Sequence, residues 1–247
     1  MKKWLLVSVL FVVAYTSFLV ATAPASLLLN MVEIPKNVVV HGVSGSVWHT
    51  KAEKVYIDNV TLDKVEAKLD WSSVFAFAPA LNVTFGDEVI PGPEGELFIS
   101  MKAGVLEVTN ANALIPANMI AQHIQAPVPI TARGNVELTV SQFQQGKPLC
   151  ETLTGDINWQ RAKLTALNET IDLGPLKGKL ACNKGAIALT VSPENKLGLT
   201  YSAFISANGR VNGNGYLQPG RDFPPELNNV LPFLGQPDRQ GRYRLRM

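Results

Sequence analysis

The stretch Val65-Glu66-Ala67-Lys68-Leu69-Asp70-Trp71 places apolar side chains at every odd position and charged side chains at every even position. Successive side chains of a strand point to opposite faces, so this alternation predicts a strand with one face buried and one in water. The same period of two recurs in Val136/Leu138/Val140, Ile187/Leu189/Val191, Leu197/Leu199/Tyr201 and Tyr243/Leu245/Met247. Clusters of Gly, Asn, Asp and Pro separate these runs, as is typical of antiparallel β structure. The sequence therefore predicts a mainly β fold.

Helical spacing is confined to short stretches between these runs. The clearest are Ser72 to Phe77, Asn112 to His123 and Pro225 to Leu234. Parallel strands need crossover connections of a dozen residues or more, and the chain has too few helical stretches to supply them. We expect each of the three to be a connector in an antiparallel fold.

Two passages of the chain resemble each other, Gly45 to Trp48 and Gly155 to Trp159. Each leads into further strand patterns, so the β body is predicted either as one domain or as two related lobes over 36–126 and 127–247. Gln125 to Pro129 contains two prolines and is the expected junction.

The N-terminal segment is apolar and without formal charge from Trp4 to Ala23. About 20 apolar residues in a helix suffice to cross the hydrocarbon layer of a membrane. Lys2 and Lys3 precede the segment, and no basic residue follows it before Lys36, so the positive-inside rule predicts a cytoplasmic N-terminus and an exported body.

The competing interpretation is a cleaved signal peptide, because Ala21-Thr22-Ala23 has the small-x-small form of a cleavage site. Pro24 would directly follow the cut, which favours a retained anchor. The predicted layout is a cytoplasmic tail at 1–3, a transmembrane helix at 4–23, a linker at 24–35 and a periplasmic body at 36–247 on a bacterial inner membrane.

The sequence has two cysteines, Cys150 and Cys182, both in the exported part. An oxidising compartment favours their pairing, so one disulfide is predicted. Two buried free thiols are the alternative.

Composition and motifs give no sign of catalysis or cofactor binding. The 22 basic and 20 acidic residues leave a net charge of +2, which does not indicate nucleic acid as a partner. The sequence has no nucleophile elbow and no phosphate-binding glycine loop, and its histidines lack the spacing of a helical zinc site. We therefore expect no catalytic, cofactor-binding or metal-binding residues, and a protein that is not an enzyme.

Trp48, Trp71 and Trp159 lie on or beside strand patterns. Large aromatic side chains mostly serve as core packing, and that is the expected role of all three. The alternative is that they line an apolar groove that holds a lipid tail or a partner segment.

Arg242, Arg244 and Arg246 alternate with apolar residues at the end of the chain, so one face of the last strand is predicted to be basic. Such a face can simply be a solvated strand edge that discourages aggregation. The functional alternative is a contact with an acidic partner or with phospholipid headgroups.

The order of these features resembles the type II secretion system protein N family. The resemblance is carried by the short basic N-terminus with one apolar segment, by Val43-Ser44-Gly45-Ser46-Val47-Trp48, by Ala67 to Trp71, by Ile130 to Gly134 and by Cys150 leading to Gly155-Asp156-Ile157-Asn158-Trp159. It implies an inner-membrane accessory subunit of the machine that exports folded proteins across the outer membrane. The implied partners are other subunits of that system: the inner-membrane platform, the secretin-linking component or the secretin.

A second resemblance, to periplasmic lipid-handling proteins of the AsmA-like kind, rests on the Gly-x-Val-Trp pattern and the repeated strands. It implies lipid as a ligand in an apolar groove, and it would give the three tryptophans a ligand-contacting role.

Overall fold

The computed structural model describes residues 2–26, 37–87, 89–122, 129–166, 169–207, 209–229 and 231–246. These residues form fourteen strands, three α-helices and two 3-10 helices, which confirms the mainly β architecture. The chain divides into two compact units, Met1–Gly92 and Pro93–Met247. The lobes 36–126 and 127–247 remain a prediction, and their expected junction lies outside the described residues except for Pro129.

The described residues of the first unit include one long helix, one short helix and five strands. They are α1 (Lys2–Thr22), β1 (Val38–His41), β2 (Ser44–Ser46), β3 (His49–Ile57), β4 (Val60–Leu69), α2 (Trp71–Phe75) and β5 (Ala80–Phe85). All pairings are antiparallel: β1, β3, β4 and β5 follow one another in that order, and β2 also pairs with β3. The alternating stretch that predicted a strand forms the second half of β4, and the predicted helix at 72–77 corresponds to α2.

The helix α1 exposes large apolar side chains on every side. The five consecutive residues Val9 to Val13 are each more than half exposed, and five residues cover more than one helical turn. Within the part of the chain that the structure describes, no helix combines the length and the apolarity needed to cross a membrane. The transmembrane helix expected at 4–23 therefore remains a prediction. Most of the expected linker at 24–35 lies outside the described residues.

In the second unit, the residues that the structure describes form nine strands, one α-helix and two 3-10 helices. They are β6 (Glu94–Lys102), β7 (Val105–Pro116), α3 (Ala117–Ala121), β8 (Ile130–Gln145), β9 (Cys150–Ala166), β10 (Glu169–Asn183), β11 (Ala186–Val191), β12 (Leu199–Ile205), β13 (Val211–Leu217), the 3-10 helices Pro225–Asn229 and Leu231–Leu234, and β14 (Tyr243–Arg246). From β6 to β14 each strand pairs antiparallel with the next, so the unit is a meander.

Tight turns set the register of this meander. Ala103 and Gly104 connect β6 to β7, and Lys184 and Gly185 connect β10 to β11; all four residues have positive φ. Two central residues with positive φ define the type I′ turn, whose twist matches that of paired strands. These turns therefore fix which residues face each other along both hairpins.

The helix expected over Asn112 to His123 forms only in the second half of that stretch, and the first half is strand. The strand β7 continues to Pro116 and only Ala117–Ala121 is helical, while His123 lies outside the described residues. Ladder pairing with β8, from Ala111 opposite Val140 to Pro116 opposite Asn135, outweighs the local helical spacing.

The core of the second unit consists of two buried apolar clusters. One contains Ala162, Ile171, Leu173, Leu197 and Phe223, and the other contains Ala117, Ala121, Ala132 and Val136. Trp159 packs against both clusters. The two clusters are therefore connected through one aromatic side chain.

The structure joins Cys150 and Cys182 by a disulfide, as the sequence predicted, with their Cα atoms 6.0 Å apart. Cys150 begins β9 and is 2% exposed, and Cys182 lies near the end of β10. The amide of Leu149 donates to the Gly185 carbonyl at 3.0 Å, so the turn before β9 is also held against the turn after β10.

Candidate functional site

Trp48 and Trp71 form a stacked pair in the first unit. Their ring centroids are 3.4 Å apart and the ring planes differ by 10°. The pair forms because β3 and β4 are adjacent: His49 faces Lys68, and the Leu69 amide donates to the Trp48 carbonyl at 3.0 Å. The structure thus brings together two of the three tryptophans singled out in the sequence. Trp71 remains 45% exposed, so the pair is not fully enclosed.

Trp48 and the two residues before it contact the C-terminal end of α1. The indole Nε1 of Trp48 donates to the Val20 carbonyl at 2.9 Å, and the Val47 amide donates to the Ala23 carbonyl at 2.9 Å. Pro24 forms an isolated bridge with Ser46. These contacts, made by Val20, Ala23 and Pro24 with residues 46–48, define what we call the helix-docking site.

The turn that leads into Trp48 requires glycine at position 45. The φ of Gly45 is +88°, a conformation that L side chains rarely adopt, and a Cβ at this position would collide with the His49 carbonyl. The turn is closed by the His49 amide, which donates to Ser46 Oγ at 3.3 Å, and by Thr50 Oγ1, which donates to the Ser46 carbonyl at 3.1 Å. The Gly-Ser-Val-Trp motif therefore shapes the surface that receives the helix end.

A charged cluster lies on β3 and β4 next to this turn. Glu66 accepts from Lys51 Nζ at 2.8 Å, and its other carboxylate oxygen lies 3.0 Å from His49 Nε2. These contacts, chiefly the hydrogen bond from Lys51 and then that from His49, lower the pKa of Glu66 to about 2. The cluster ties the first residues of β3 to the middle of β4.

Trp159 packs against the core of the second unit. Its Nε1 donates to the Arg133 carbonyl at 3.0 Å, next to a register shift between β8 and β9 at Gly134. The ring borders an apolar cavity of about 130 Å³, whose lining includes Ile120, Ile130 and Leu164. Its position is that of a core side chain with one edge on a small cavity.

The three C-terminal arginines fall into two groups. Arg242 precedes β14 and is fully engaged: its guanidinium donates to Asp238 at 2.8 and 2.9 Å and lies 4.5 Å above the Tyr216 ring. The hydrogen bonds from the Arg242 backbone and side chain lower the pKa of Asp238. Arg244 and Arg246 lie on β14 itself and are exposed. Among the described residues of the second unit, β13 is the one strand that pairs with β14, so no strand there pairs with its outer edge.

Sequence reasoning missed the aromatic residues after Trp71. Phe75 is 76% exposed and Phe77 is 92% exposed. The available signal was the run Val74-Phe75-Ala76-Phe77-Ala78, which is apolar at both odd and even positions and therefore cannot lie on one buried strand face. Sequence reasoning also missed Asp238, although Asp238 lies only four residues before Arg242.

Comparison with known proteins gives a consistent result. Residues 36–246 match the family described as "Type II secretion system (T2SS), protein N". The chain is similar to proteins named type II secretion system protein N from three organisms. Identity is 30% over 250 residues for Aeromonas hydrophila, 28% over 248 for Klebsiella pneumoniae and 22% over 244 for Vibrio cholerae. These alignments cover 98 to 100% of this chain and 94 to 98% of the relatives.

No solved structure matches the chain. The family match spans nearly all of the β body, including residues 46–48 of the helix-docking site and the arginine-bearing strand, whereas the end of α1 lies outside it. The predicted resemblance is confirmed, and the chain belongs to the type II secretion system protein N family.

Proposed function

We propose that this chain is an inner-membrane-anchored accessory subunit of the type II secretion system. It supports assembly or function of the machine that exports folded proteins across the outer membrane, and it acts by binding other proteins, not by turnover. Family membership supports the system, and the strand-built body with an available edge supports a binding role.

The observation that carries this proposal is the edge strand β14. It is four residues long, no strand among the described residues of the second unit pairs with its outer edge, and it carries the exposed Arg244 and Arg246. An unpaired edge can accept an extended segment of another protein, and arginine is enriched where proteins bind each other. The fitting partner is an acidic, extended segment. By family it would belong to the inner-membrane platform, the secretin-linking component or the secretin.

The location is part of the same proposal. The uncharged stretch Trp4 to Ala23, the preceding Lys2 and Lys3 and the exposure of apolar side chains all around α1 support a retained single-pass anchor with a cytoplasmic N-terminus. The disulfide between Cys150 and Cys182 supports a periplasmic body, because disulfides persist in oxidising compartments.

Charge reversal on β14 tests the binding role. In cells that depend on this chain for type II secretion, R244E/R246E should retain secreted proteins in the periplasm because it repels an acidic partner. The matched control is K177E/K179E, a double charge reversal of exposed lysines on β10. Fractionated cells would be assayed for a secreted protein, with immunoblotting to show equal amounts of each variant. Normal secretion by R244E/R246E would contradict the role of this edge.

Photocrosslinking identifies the partner. A photoreactive residue at position 244 or 246 should form crosslinks to another subunit of the secretion system, and mass spectrometry would name it. Crosslinks from both positions to phospholipid alone would contradict a protein partner on β14.

The cavity beside Trp159 gives lipid handling less support than the β14 edge gives protein binding. Its volume of about 130 Å³ is below the roughly 300 to 1,000 Å³ of ordinary ligand pockets. If lipid handling were nevertheless the function, deletion of the chain would alter outer-membrane lipid content while secretion stayed normal.

A further inference from the structure

The connection between β4 and β5 exposes an unusual concentration of apolar side chains. Within the seven residues Trp71 to Phe77, which we call the aromatic loop, four large side chains are exposed: Phe77 at 92%, Phe75 at 76%, Trp71 at 45% and Val74 at 37%. Isolated exposed apolar residues are ordinary, but a contiguous set marks a contact with another apolar phase.

The aromatic loop is held in place by polar contacts on its inner side. The Ser72 amide donates to Asp70 Oδ1 at 3.0 Å, which caps α2. Ser73 is 9% exposed; its Oγ donates to the Asp70 carbonyl and accepts from the Ala80 amide at 2.9 Å. The exposed rings are therefore presented on a fixed support.

Phe77 has a backbone conformation that its side chain does not favour. Its φ is +55°, a region in which a bulky residue is an outlier and glycine is not. Because the ring is almost completely exposed, packing within the described chain does not compensate for this conformation. Strain of this kind is typical of positions kept for a contact made with something else.

The aromatic loop lies at the end of α1. Trp71 stacks on Trp48, and Trp48 donates to the carbonyl of Val20 in the last turn of the helix. Phe18, Leu19 and Val20 in that turn are themselves about half exposed or more. The exposed aromatic surface therefore adjoins the point where the apolar helix ends.

We infer that the aromatic loop inserts its side chains into the interfacial layer of the membrane that holds α1. Aromatic rings are enriched at the boundary between headgroups and hydrocarbon, and burying their apolar surface there is favourable. The body is thereby held at the bilayer by two contacts, a helix and a loop, and the stacked tryptophans fix one relative to the other. This inference rests on the proposed membrane contact of α1.

The test uses the full chain reconstituted into vesicles of phosphatidylethanolamine and phosphatidylglycerol. The variant F77C supplies one reactive thiol, because Cys150 and Cys182 are joined in a disulfide. A nitrobenzoxadiazole label reports polarity, and doxyl-labelled lipids quench it at known depths. The matched control is V89C, which is 83% exposed and follows the opposite end of β5 from the aromatic loop.

A label at position 77 should show blue-shifted emission and at least about twofold stronger quenching by doxyl lipids than a label at 89. F75C should behave like F77C. Equal quenching at 77 and 89 would overturn the inference, and a blue shift without doxyl quenching would overturn it in favour of a protein contact. Flotation of the vesicles separates the two proposals. Protein that fails to float contradicts the membrane contact of α1 as well, whereas floating protein with a water-exposed label at 77 contradicts the aromatic loop alone.

Discussion

Trp48 contacts three different elements of the first unit. One face of its indole stacks on Trp71, and its Nε1 donates a hydrogen bond to the Val20 carbonyl. Its own carbonyl accepts a hydrogen bond from the Leu69 amide. It therefore connects the end of α1, the start of β3 and the end of β4. Two of these contacts come from the side chain and one from the main chain, and the stacking partner Trp71 begins the aromatic loop.

A double-mutant cycle measures the stacking. W48A and W71A, singly and together, should show a coupling of about 0.5 to 1.5 kcal/mol in the free energy of unfolding, because stacked aromatic pairs contribute about that much beyond their buried area. Urea unfolding of the full chain in detergent gives the four values. The control cycle combines W71A with Y56A, since Tyr56 faces Thr61 at the other end of the β3–β4 hairpin. That cycle should be additive within about 0.5 kcal/mol. Additivity of the first cycle would show that the stack contributes nothing.

Glu66 makes the stability of the first unit pH-dependent. Its pKa in the folded protein is about 2, below its ordinary value of 4.5, because Lys51 and His49 hydrogen-bond the ionised carboxylate. A lowered pKa stabilises the fold above the unfolded-state value, and this stabilisation is lost as the pH falls from 4.5 towards 2. E66Q should therefore flatten the dependence of unfolding free energy on pH in that window. Chemical denaturation at several pH values measures the slope.

A substitution of Lys51 checks that Glu66 causes this pH dependence. K51M removes the larger cause of the lowered pKa and should also reduce the slope below pH 4.5. If E66Q and K51M both leave the slope unchanged, other carboxyl groups govern the acid sensitivity.

At the scale of elements, the disulfide and the turn contact beside it tie β9 to β10 at one end of the long central strands. Cys150 begins β9, and the bond to Cys182 closes a loop that contains most of both strands. Restricting such a loop lowers the entropy of the unfolded chain, which raises the free energy of unfolding.

Removing the bond with C150A/C182A should lower the free energy of unfolding by about 3 to 4 kcal/mol, as expected for a loop with a sequence separation of 32. Urea unfolding of the oxidised wild type, the reduced wild type and the variant measures the loss. The reduced wild type controls for the change in side-chain volume at the buried Cys150. A loss below about 1 kcal/mol in both would contradict a stabilising role.

The strands were predictable because alternation is a local property of the sequence. Val65 to Leu69 falls in β4, the apolar set 136/138/140 in β8 and the set 187/189/191 in β11. Helical spacing, by contrast, gave a wrong prediction for Asn112 to Pro116, where pairing with β8 and not local spacing decides the conformation. Met247, the last residue of the predicted terminal strand, lies outside the described residues.

The candidate site was predictable only in its parts. The sequence singled out Trp48 and Trp71, but their stacking follows from the register of β3 against β4, which no local pattern fixes. It grouped three arginines on one strand face, yet Asp238 and Tyr216 engage Arg242 and leave Arg244 and Arg246 on the edge. One contact from a nearby loop and one from a neighbouring strand, neither visible in the strand pattern, decide which of the three side chains remain exposed.

At the scale of the whole molecule, the two units present different surfaces. The first unit, Met1–Gly92, fastens the end of α1 and presents the aromatic loop, so its distinctive surface is apolar. The second unit, Pro93–Met247, contains the larger core, the disulfide and the strand with two exposed arginines. Membrane contact and partner contact are thus proposed for separate parts of one chain, and variants in one should leave the other intact.

The membrane contact of α1 is tested by charges placed near the middle of the helix. Leu10 and Val13 are 73% and 57% exposed, so substitution disturbs no packing within the first unit. An arginine near the centre of a membrane-spanning helix costs about 2.5 to 3.5 kcal/mol of insertion free energy, so L10R/V13R should oppose insertion by roughly 5 to 7 kcal/mol. The variant should move from the carbonate-resistant pellet to the soluble fraction, while L10A/V13A stays in the pellet.

The cysteines report independently where the body resides. If L10R/V13R blocks export, Cys150 and Cys182 remain in a reducing compartment and stay open to alkylation, whereas in L10A/V13A they are oxidised and protected. Retention of L10R/V13R in the carbonate-resistant pellet with an oxidised pair would show that α1 does not hold the protein at the membrane. Release with an oxidised pair would show that α1 directs export but that membrane retention depends on its apolar centre. Release with reduced cysteines is the expected result, because one apolar helix then serves both export and retention.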